Sequence, residues 1–382
     1  MRRPAAGYFL LAGVVALPQA VACAERRGTA RFTVSTVAVG RQPNDVTLGD
    51  VDADGHPDVV TANLGSRDVS VLRGDGKGGF TPAPGSPISV GIAAHLVVLG
   101  DFDRDGRLDL AATEHDSNDV LVLRENGRGG FAPMPGSPAR AIDRLAPHNH
   151  GLGAVDFNGD GLLDLATSNN NGNSVSVLLG NGRGGFRPAA GSPFPVGRAP
   201  YPLAVGDFNG DGRPDVATPD VSGHTVTVLF GDGRGGLAPA PGSPYRVRER
   251  PYFAAAGHVN GDRALDLVLS HDDSQALTIL VNDGQGRFTP SRPIEAGGRS
   301  WKVRVDDFDR DGKNDLALGV HPSGVAVLSG DGKGGFKAAP GSPISVGRGP
   351  WGIAVGDLNR DGKPDVVTAN SEGNSVSVLL AR

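Results

Sequence analysis

The chain has 382 residues, with 59 Gly, 29 Pro, only 5% aromatic residues and a single cysteine. This composition fits many short strands joined by turns; it excludes a helical bundle and any intrachain disulfide framework. The formal net charge is −5, and no basic block or stacked-aromatic motif is present, so a nucleic-acid-binding surface is excluded as well.

The chain opens with Arg2 and Arg3, an apolar stretch from about Tyr8 to Leu17, and small residues at Ala22-Cys23-Ala24. Together these predict an export signal over residues 1–24, followed by one domain over residues 25–382. The apolar stretch is too short for a transmembrane span, and no later stretch is long or apolar enough to cross a bilayer. A secreted or periplasmic protein is expected. The run Ala20-Val21-Ala22-Cys23 also resembles a lipobox, so an anchor through acylated Cys23 stands as the alternative.

Beyond the signal, one acidic segment recurs. Aligning D-x-(D/N)-x-D-G-x-x-D places its first residue at Asp50, Asp101, Asp156, Asp207, Asp307 and Asp357, with a degenerate copy starting at His258. The successive intervals are 51, 55, 51, 51, 49 and 50 residues. Each repeat reads as a short apolar strand, the acidic loop, and a second strand such as Asp215-Val216-Ala217-Thr218. A third strand such as Thr225 to Leu229, a Gly-rich turn and a Pro-containing fourth segment from Pro239 to Tyr245 complete it. Proline belongs on an edge strand, where a missing N–H costs little. Four antiparallel strands with the last outermost make a propeller blade, so the sequence predicts an all-β, seven-bladed propeller.

The chain ends support a closed ring. The seventh repeat stops at Arg382, after its third strand, whereas Arg31 to Gly40 form a strand-like segment with no repeat of its own. That segment matches Gly335 to Gly347, an internal fourth strand, in its Phe and in a β-branched run ending at Gly. Residues 31–40 are therefore expected to complete the last blade. Closure hides sheet edges that an open solenoid would leave bare, and a monomer is expected.

The acidic loops carry the chemistry. Ca²⁺ takes six to eight oxygen ligands at about 2.3–2.6 Å. Positions 1, 3, 5 and 9 would offer side chains, position 7 a backbone carbonyl, and position 6 is Gly for a sharp turn. The expected side-chain ligands are Asp50, Asp52, Asp54 and Asp58; Asp101, Asp103, Asp105 and Asp109; Asp156, Asn158, Asp160 and Asp164; Asp207, Asn209, Asp211 and Asp215; Asp307, Asp309, Asp311 and Asp315; and Asp357, Asn359, Asp361 and Asp365. The carbonyls would come from His56, Arg107, Leu162, Arg213, Lys313 and Lys363. Without a cation, three or four carboxylates this close repel one another. Solvated turn acids are the bland alternative, and recurrence in six registers weighs against it. These loops hold 21 of the 42 acidic residues; six divalent ions would add twelve positive charges and take −5 to +7. Mg²⁺ fits less well because it demands a tighter octahedron. The fifth loop has His258, Asn260, Asp262 and Asp266, with Arg263 at the turn position. It is expected to bind no metal, its guanidinium neutralising Asp262 or Asp266 instead.

At Val205–Ala217, V-G-D-F-N-G-D-G-R-P-D-V-A, and Val175–Phe186, V-S-V-L-L-G-N-G-R-G-G-F, the chain resembles FG-GAP/VCBS repeats. Such repeats form integrin α-subunit propellers and occur in many bacterial surface proteins. The resemblance covers essentially residues 30–382. It implies calcium loops on a lower face and ligand contact on an upper face, and it leaves the function open among adhesion modules, lectins and enzyme-attached domains.

A second register lies six residues before each first ligand: Asn44, His95, His150, Tyr201, Tyr252, Trp301 and Trp351. It falls at the start of the innermost strand, away from the acidic loop, so these residues are expected to circle the upper mouth of the channel. The turn after the second strand, with Asn63, Glu114, Asn169, Asp220, His271, His321 and Asn370, is expected on the same face. Aromatic faces beside polar groups suit a carbohydrate or protein ligand; a simple plug of the channel is the bland alternative. A non-catalytic binding, adhesion or scaffold module is the leading reading. The alternative is an extracellular hydrolase or lyase built on His95, His150, Glu114, His271 and His321, although no nucleophile elbow or HExxH motif supports it.

Overall fold

A computed structural model describes residues 32–140 and 148–382. The expected signal peptide, Cys23 and Arg31 lie outside the described residues. Among those described, all regular structure is β-strand, arranged as seven antiparallel sheets. The fold is the seven-bladed propeller expected from the repeat.

The first blade shows the pattern. Its strands run Pro43–Gly49, Asp58–Asn63 and Asp68–Gly74 from the axis outward. The fourth segment differs from a single strand. Phe80–Pro82 and Ile88–Ser89 pair separately with opposite ends of the third strand. A Pro-Gly-Ser-Pro linker parts them, because its prolines cannot donate to the ladder.

Ring closure follows the expected scheme. Phe32–Ala38 pairs antiparallel with Ser375–Ala381, Val37 opposite Val376 and Phe32 opposite Ala381. The seventh sheet therefore joins the two ends of the described chain, and Phe32 and Val37 pack on its apolar faces.

There is no single core. Seven apolar clusters lie between successive blades, one of them joining Val46, Val59 and Leu72 of the first blade to Ala354, Val367 and Val378 of the seventh. Each second strand is buried on both faces, which explains near-continuous runs such as Asp58-Val59-Val60-Thr61-Ala62-Asn63. The third strand of the first blade ends at Gly74, where a Cβ would meet the Pro57 carbonyl at 2.2 Å. That close approach requires glycine.

Deleting residues 32–38 would bare the edge of Ser375–Ala381. At roughly 2–4 °C per kcal/mol, the variant is expected to melt about 10 °C lower and to self-associate in light scattering. An unchanged melt and a monomeric profile would refute the role of this strand.

Candidate functional site

The acidic loops line one face. In the first, the Asp50 carboxylate accepts the Asp54 and Gly55 N–H groups, at 3.0 and 2.8 Å, and Asp54 accepts from His56 at 2.8 Å. These bonds wrap the backbone around the acids. The turn glycines at position 6 hold φ between +77° and +86°, in Gly55, Gly106, Gly161, Gly212, Gly312 and Gly362. Carboxylate oxygens of Asp50, Asp52 and Asp58 lie within 4.8 Å of one another, as do those of Asp101, Asp103 and Asp109 and those of Asp307, Asp309 and Asp311. The loops with Asn158 and Asn209 instead donate the amide to Asp160 and Asp211.

Position 9 has a structural task that the sequence reading missed. Asp58 is fully buried; it accepts the Val51 N–H on one oxygen and the Gly74 N–H, from the end of the third strand, on the other, both at 2.9 Å. All seven blades repeat this clasp, through Asp109, Asp164, Asp215, Asp266, Asp315 and Asp365. Burial pushes these acids up, Asp109, Asp164, Asp215 and Asp315 to about 7 and Asp58 and Asp365 to about 6.

Basic side chains meet the outer acids. Arg107, Lys313, Lys363 and Arg213 reach from position 7 to Asp105, Asp311, Asp361 and Asp211, at 2.9, 2.8, 3.8 and 3.9 Å. Arg73 and Arg124, on third strands, pair with Asp52 and Asp103. The fifth loop is built differently. Arg263 lies outside the left-handed region the glycines occupy. Among the described residues it pairs with neither Asp262 nor Asp266, contrary to expectation. His258 Nδ1 instead donates to the Ala264 carbonyl at 2.8 Å, engaging the oxygen that position 7 would offer a metal.

The ring register assembles at the opposite end of the innermost strands. His95 and His150 meet edge to face at 5.0 Å, and His150 stacks on Tyr201 at 4.2 Å. Tyr201 then meets Tyr252 at 4.7 Å, Tyr252 meets Trp301 at 5.0 Å, and Trp301 stacks on Trp351 at 4.5 Å. Asn44 donates its amide to the His95 carbonyl at 3.3 Å. The backbone explains the aim of these side chains. Around Asn44, His95, Tyr252, Trp301 and Trp351 the pairing register shifts, and in the third and fourth blades an isolated bridge replaces the ladder just before His150 and Tyr201. Such irregularities re-aim a side chain out of the pleat.

Beneath the ring a buried ion pair links two of the innermost strands. Lys302 of the sixth blade donates to Asp45 of the first at 2.6 Å, and both are buried. The seventh blade lets them meet: a Cβ on Gly352 would lie 2.9 Å from the Asp45 Cα. Lys302 and Arg304 also stand over the Phe253 ring. The mouth presents a floor of rings in which Tyr201, Tyr252 and Trp351 are half-buried and Trp301 is buried.

The second-strand turn residues do not line this floor as expected. Asn63, Asn169, Asp220, His271 and Asn370 are buried within their blades. Asn63 accepts from Thr61 and donates to Asp68 and Ser70; Asn370 bonds Thr368, Ser375 and Ser377 likewise. They stitch the second strand to the third. His321 is exposed and Glu114 accepts from Ser117.

Two residues absent from the register join the ring instead. His115 lies 5.1 Å from His95 and 4.4 Å from His148, and His148 lies 4.3 Å from His150. Burial and the neighbouring imidazoles hold His150 down at about 3 and His95 well below the usual histidine range. His-x-His at 148–150 was the available signal, since a period of two puts both rings on one side of an extended segment.

This architecture, seven blades with an acidic loop at the same point of nearly every repeat, is that of an FG-GAP propeller. The family model for the FG-GAP-like repeat matches residues 50–112, 101–167, 156–218, 258–318 and 307–368, and the chain belongs to that family. Cartilage acidic protein 1 of Xenopus tropicalis is 24% identical over 304 residues, covering 75% of this chain and 44% of that protein. The chain thus spans about half the length of the curated relatives it matches. Among solved structures, an Agrocybe aegerita lectin specific for non-reducing terminal N-acetylglucosamine shares the fold with a TM-score of 0.56 and 21% identity, over 87% of this chain and 86% of that one. Virginiamycin B lyase of Staphylococcus aureus does so with a TM-score of 0.59 and 14% identity, over 91% and 99%. The fold carries both binding and catalysis and does not choose between them.

The stitch gives a pH test. Asp220 stands where the first, third and seventh blades have Asn and accepts from Thr218, Thr225 and Thr227. Burial pushes it up from 3.8 to about 6. The folded state therefore favours the protonated acid; this contribution is complete below pH 4 and lost as pH rises through 6. Asp220→Asn is expected to raise stability at pH 8 by up to about 3 kcal/mol and to change little at pH 4. Calorimetry giving equal shifts at both pH values would refute it.

Proposed function

We propose that this chain is an exported, calcium-stabilised propeller whose upper mouth binds a carbohydrate or protein ligand without transforming it. The observation that carries this reading is the unbroken file of side chains from His150 through Tyr201, Tyr252 and Trp301 to Trp351 across the mouth. Half-buried aromatic faces offer apolar area at little entropic cost. The Arg250–Asp272–Arg299 bridge supplies charged groups, and Arg299 lies over the Trp301 ring. An extracellular setting agrees with the N-terminal sequence and with relatives named for cartilage, a tissue dominated by extracellular matrix. The hydrolase or lyase alternative calls for His and Glu within about 3–4 Å at the mouth. The carboxylate that meets His115 there, Asp116, is exposed and not enclosed in a pocket, and the other imidazoles meet each other and Tyr201.

Calcium fits the six regular loops. Their acids converge within ligand range in three loops, and in five a basic side chain stands where a cation is called for. Side chains at positions 1, 3, 5 and 9 and the position-7 carbonyl would hold the ion, which neutralises the loop. The fifth loop, with His258 on its own carbonyl, would stay empty.

Binding to the folded state alone adds about 2.7 kcal/mol per site at a hundredfold excess over Kd. Chelation is therefore expected to lower the melting temperature, and Asp54→Ala to remove one calcium equivalent and leave the others. A melt indifferent to chelator would reject the calcium assignment. On a glycan array run beside protein-ligand capture, Trp351→Ala is expected to lose at least about tenfold in affinity for whatever the wild type binds; full retention would exclude the mouth.

A further inference from the structure

We propose that His115, His148 and His150 form a site for a divalent transition-metal ion, with Zn²⁺ the best match, at the upper rim between the second and third blades. A ring nitrogen of each lies within 4.8 Å of the other two. In a tetrahedral zinc site with Zn–N of about 2.0–2.1 Å, nitrogens stand about 3.3 Å apart, so modest side-chain rotations close the triad.

Three further observations point to a ligand. First, His148 and His150 come from one extended segment anchored at both ends of the triad. The His148 N–H donates to Asn118 and the His150 N–H to the Ser168 carbonyl, at 3.1 and 3.2 Å. Second, His115 Nδ1 meets the Asp116 carboxylate at 2.9 Å. That contact fixes the tautomer and leaves Nε2 as the lone-pair nitrogen, the arrangement that supports metal-bound histidines. Third, His150 is only 6% exposed and its Nε2 is buried without a hydrogen-bond partner. His95, 7% exposed, packs against His115 and His150 with its own Nδ1 unpartnered. Buried polar atoms are normally satisfied, and a cation held by the triad would satisfy His150 Nε2.

The donor set excludes the ion proposed for the lower face. Ca²⁺ takes oxygen ligands, whereas imidazole suits Zn, Cu and Ni. Three imidazoles leave a fourth position open to water or to a ligand donor on the same floor as Tyr201.

The test uses untagged protein kept saturated with Ca²⁺, so the acidic loops stay filled and their failure is seen separately. Titration calorimetry with Zn²⁺, and the visible spectrum with Co²⁺ as a probe of tetrahedral nitrogen ligation, should show one saturable equivalent. The double variant His115→Ala/His148→Ala should lose at least 100-fold in affinity. Asp116→Asn should weaken binding by about 10–100-fold. Both target partly exposed residues, and a melt in Ca²⁺ checks their folding. The wild type alone gives a further reading, since Zn²⁺ should raise its melting temperature above the Ca²⁺ baseline. Absence of saturable Zn²⁺ uptake by the wild type, or uptake that survives the double variant, would overturn the assignment.

Discussion

The constraint on which this molecule depends is that no blade covers its own faces. Each sheet is apolar on both sides, and the seven clusters are all shared between neighbours. A linear stack would leave two faces bare, so the sheets close on themselves, and Phe32–Ala38 completes the sheet at which closure occurs. Once closed, the ring dictates the rest. Seven equivalent loops fall on one face, seven equivalent strand starts fall on the other, and side chains of low individual character become a collective surface.

The lower face is organised around buried acids. The clasp at position 9 ties each acidic loop to the end of its third strand, and it persists in the fifth blade, where the other loop residues have diverged. Its first role is thus to hold the blade together. Burial disfavours the ionised form of these acids, and two backbone donors offset only part of that cost. A cation over the loop would supply the remainder, and the arginines and lysines already placed against the outer acids show how strongly the loops call for positive charge.

Much of this was legible in the sequence because repetition converts a residue's phase into a position in space. Counting from Asp50 and its equivalents located the ring from Asn44 to Trp351 without any side-chain information. The same count misread Asn63, Asn169 and Asn370. Phase tells which end of a strand a residue occupies, not whether it turns outward or back into its blade, where Ser70, Ser176 and Ser377 wait as partners. His115 and His148 escaped for another reason. The count followed one phase of the repeat, whereas these two occupy other regular phases, those held by Asp272 and Arg299 in later blades, where the neighbours form an ion pair instead of an imidazole contact. The split of the fourth segment was likewise hidden, because a proline-bounded turn within an edge reads as one irregular strand.

The two faces end in different chemistry, and the difference follows from which backbone atoms each exposes. Where the chain turns from first to second strand, carboxylates gather around backbone N–H groups, a setting of oxygen donors suited to a hard cation. Where the innermost strand begins, bulges and broken ladders turn large rings toward the axis, so apolar area and imidazole nitrogen replace oxygen. The imidazoles occupy one arc, from His95 to His150, and the indoles and phenols the other, from Tyr201 to Trp351. A ring of seven similar blades thereby acquires a polarised mouth, in which a ligand with both an apolar face and a donor atom would have one preferred orientation.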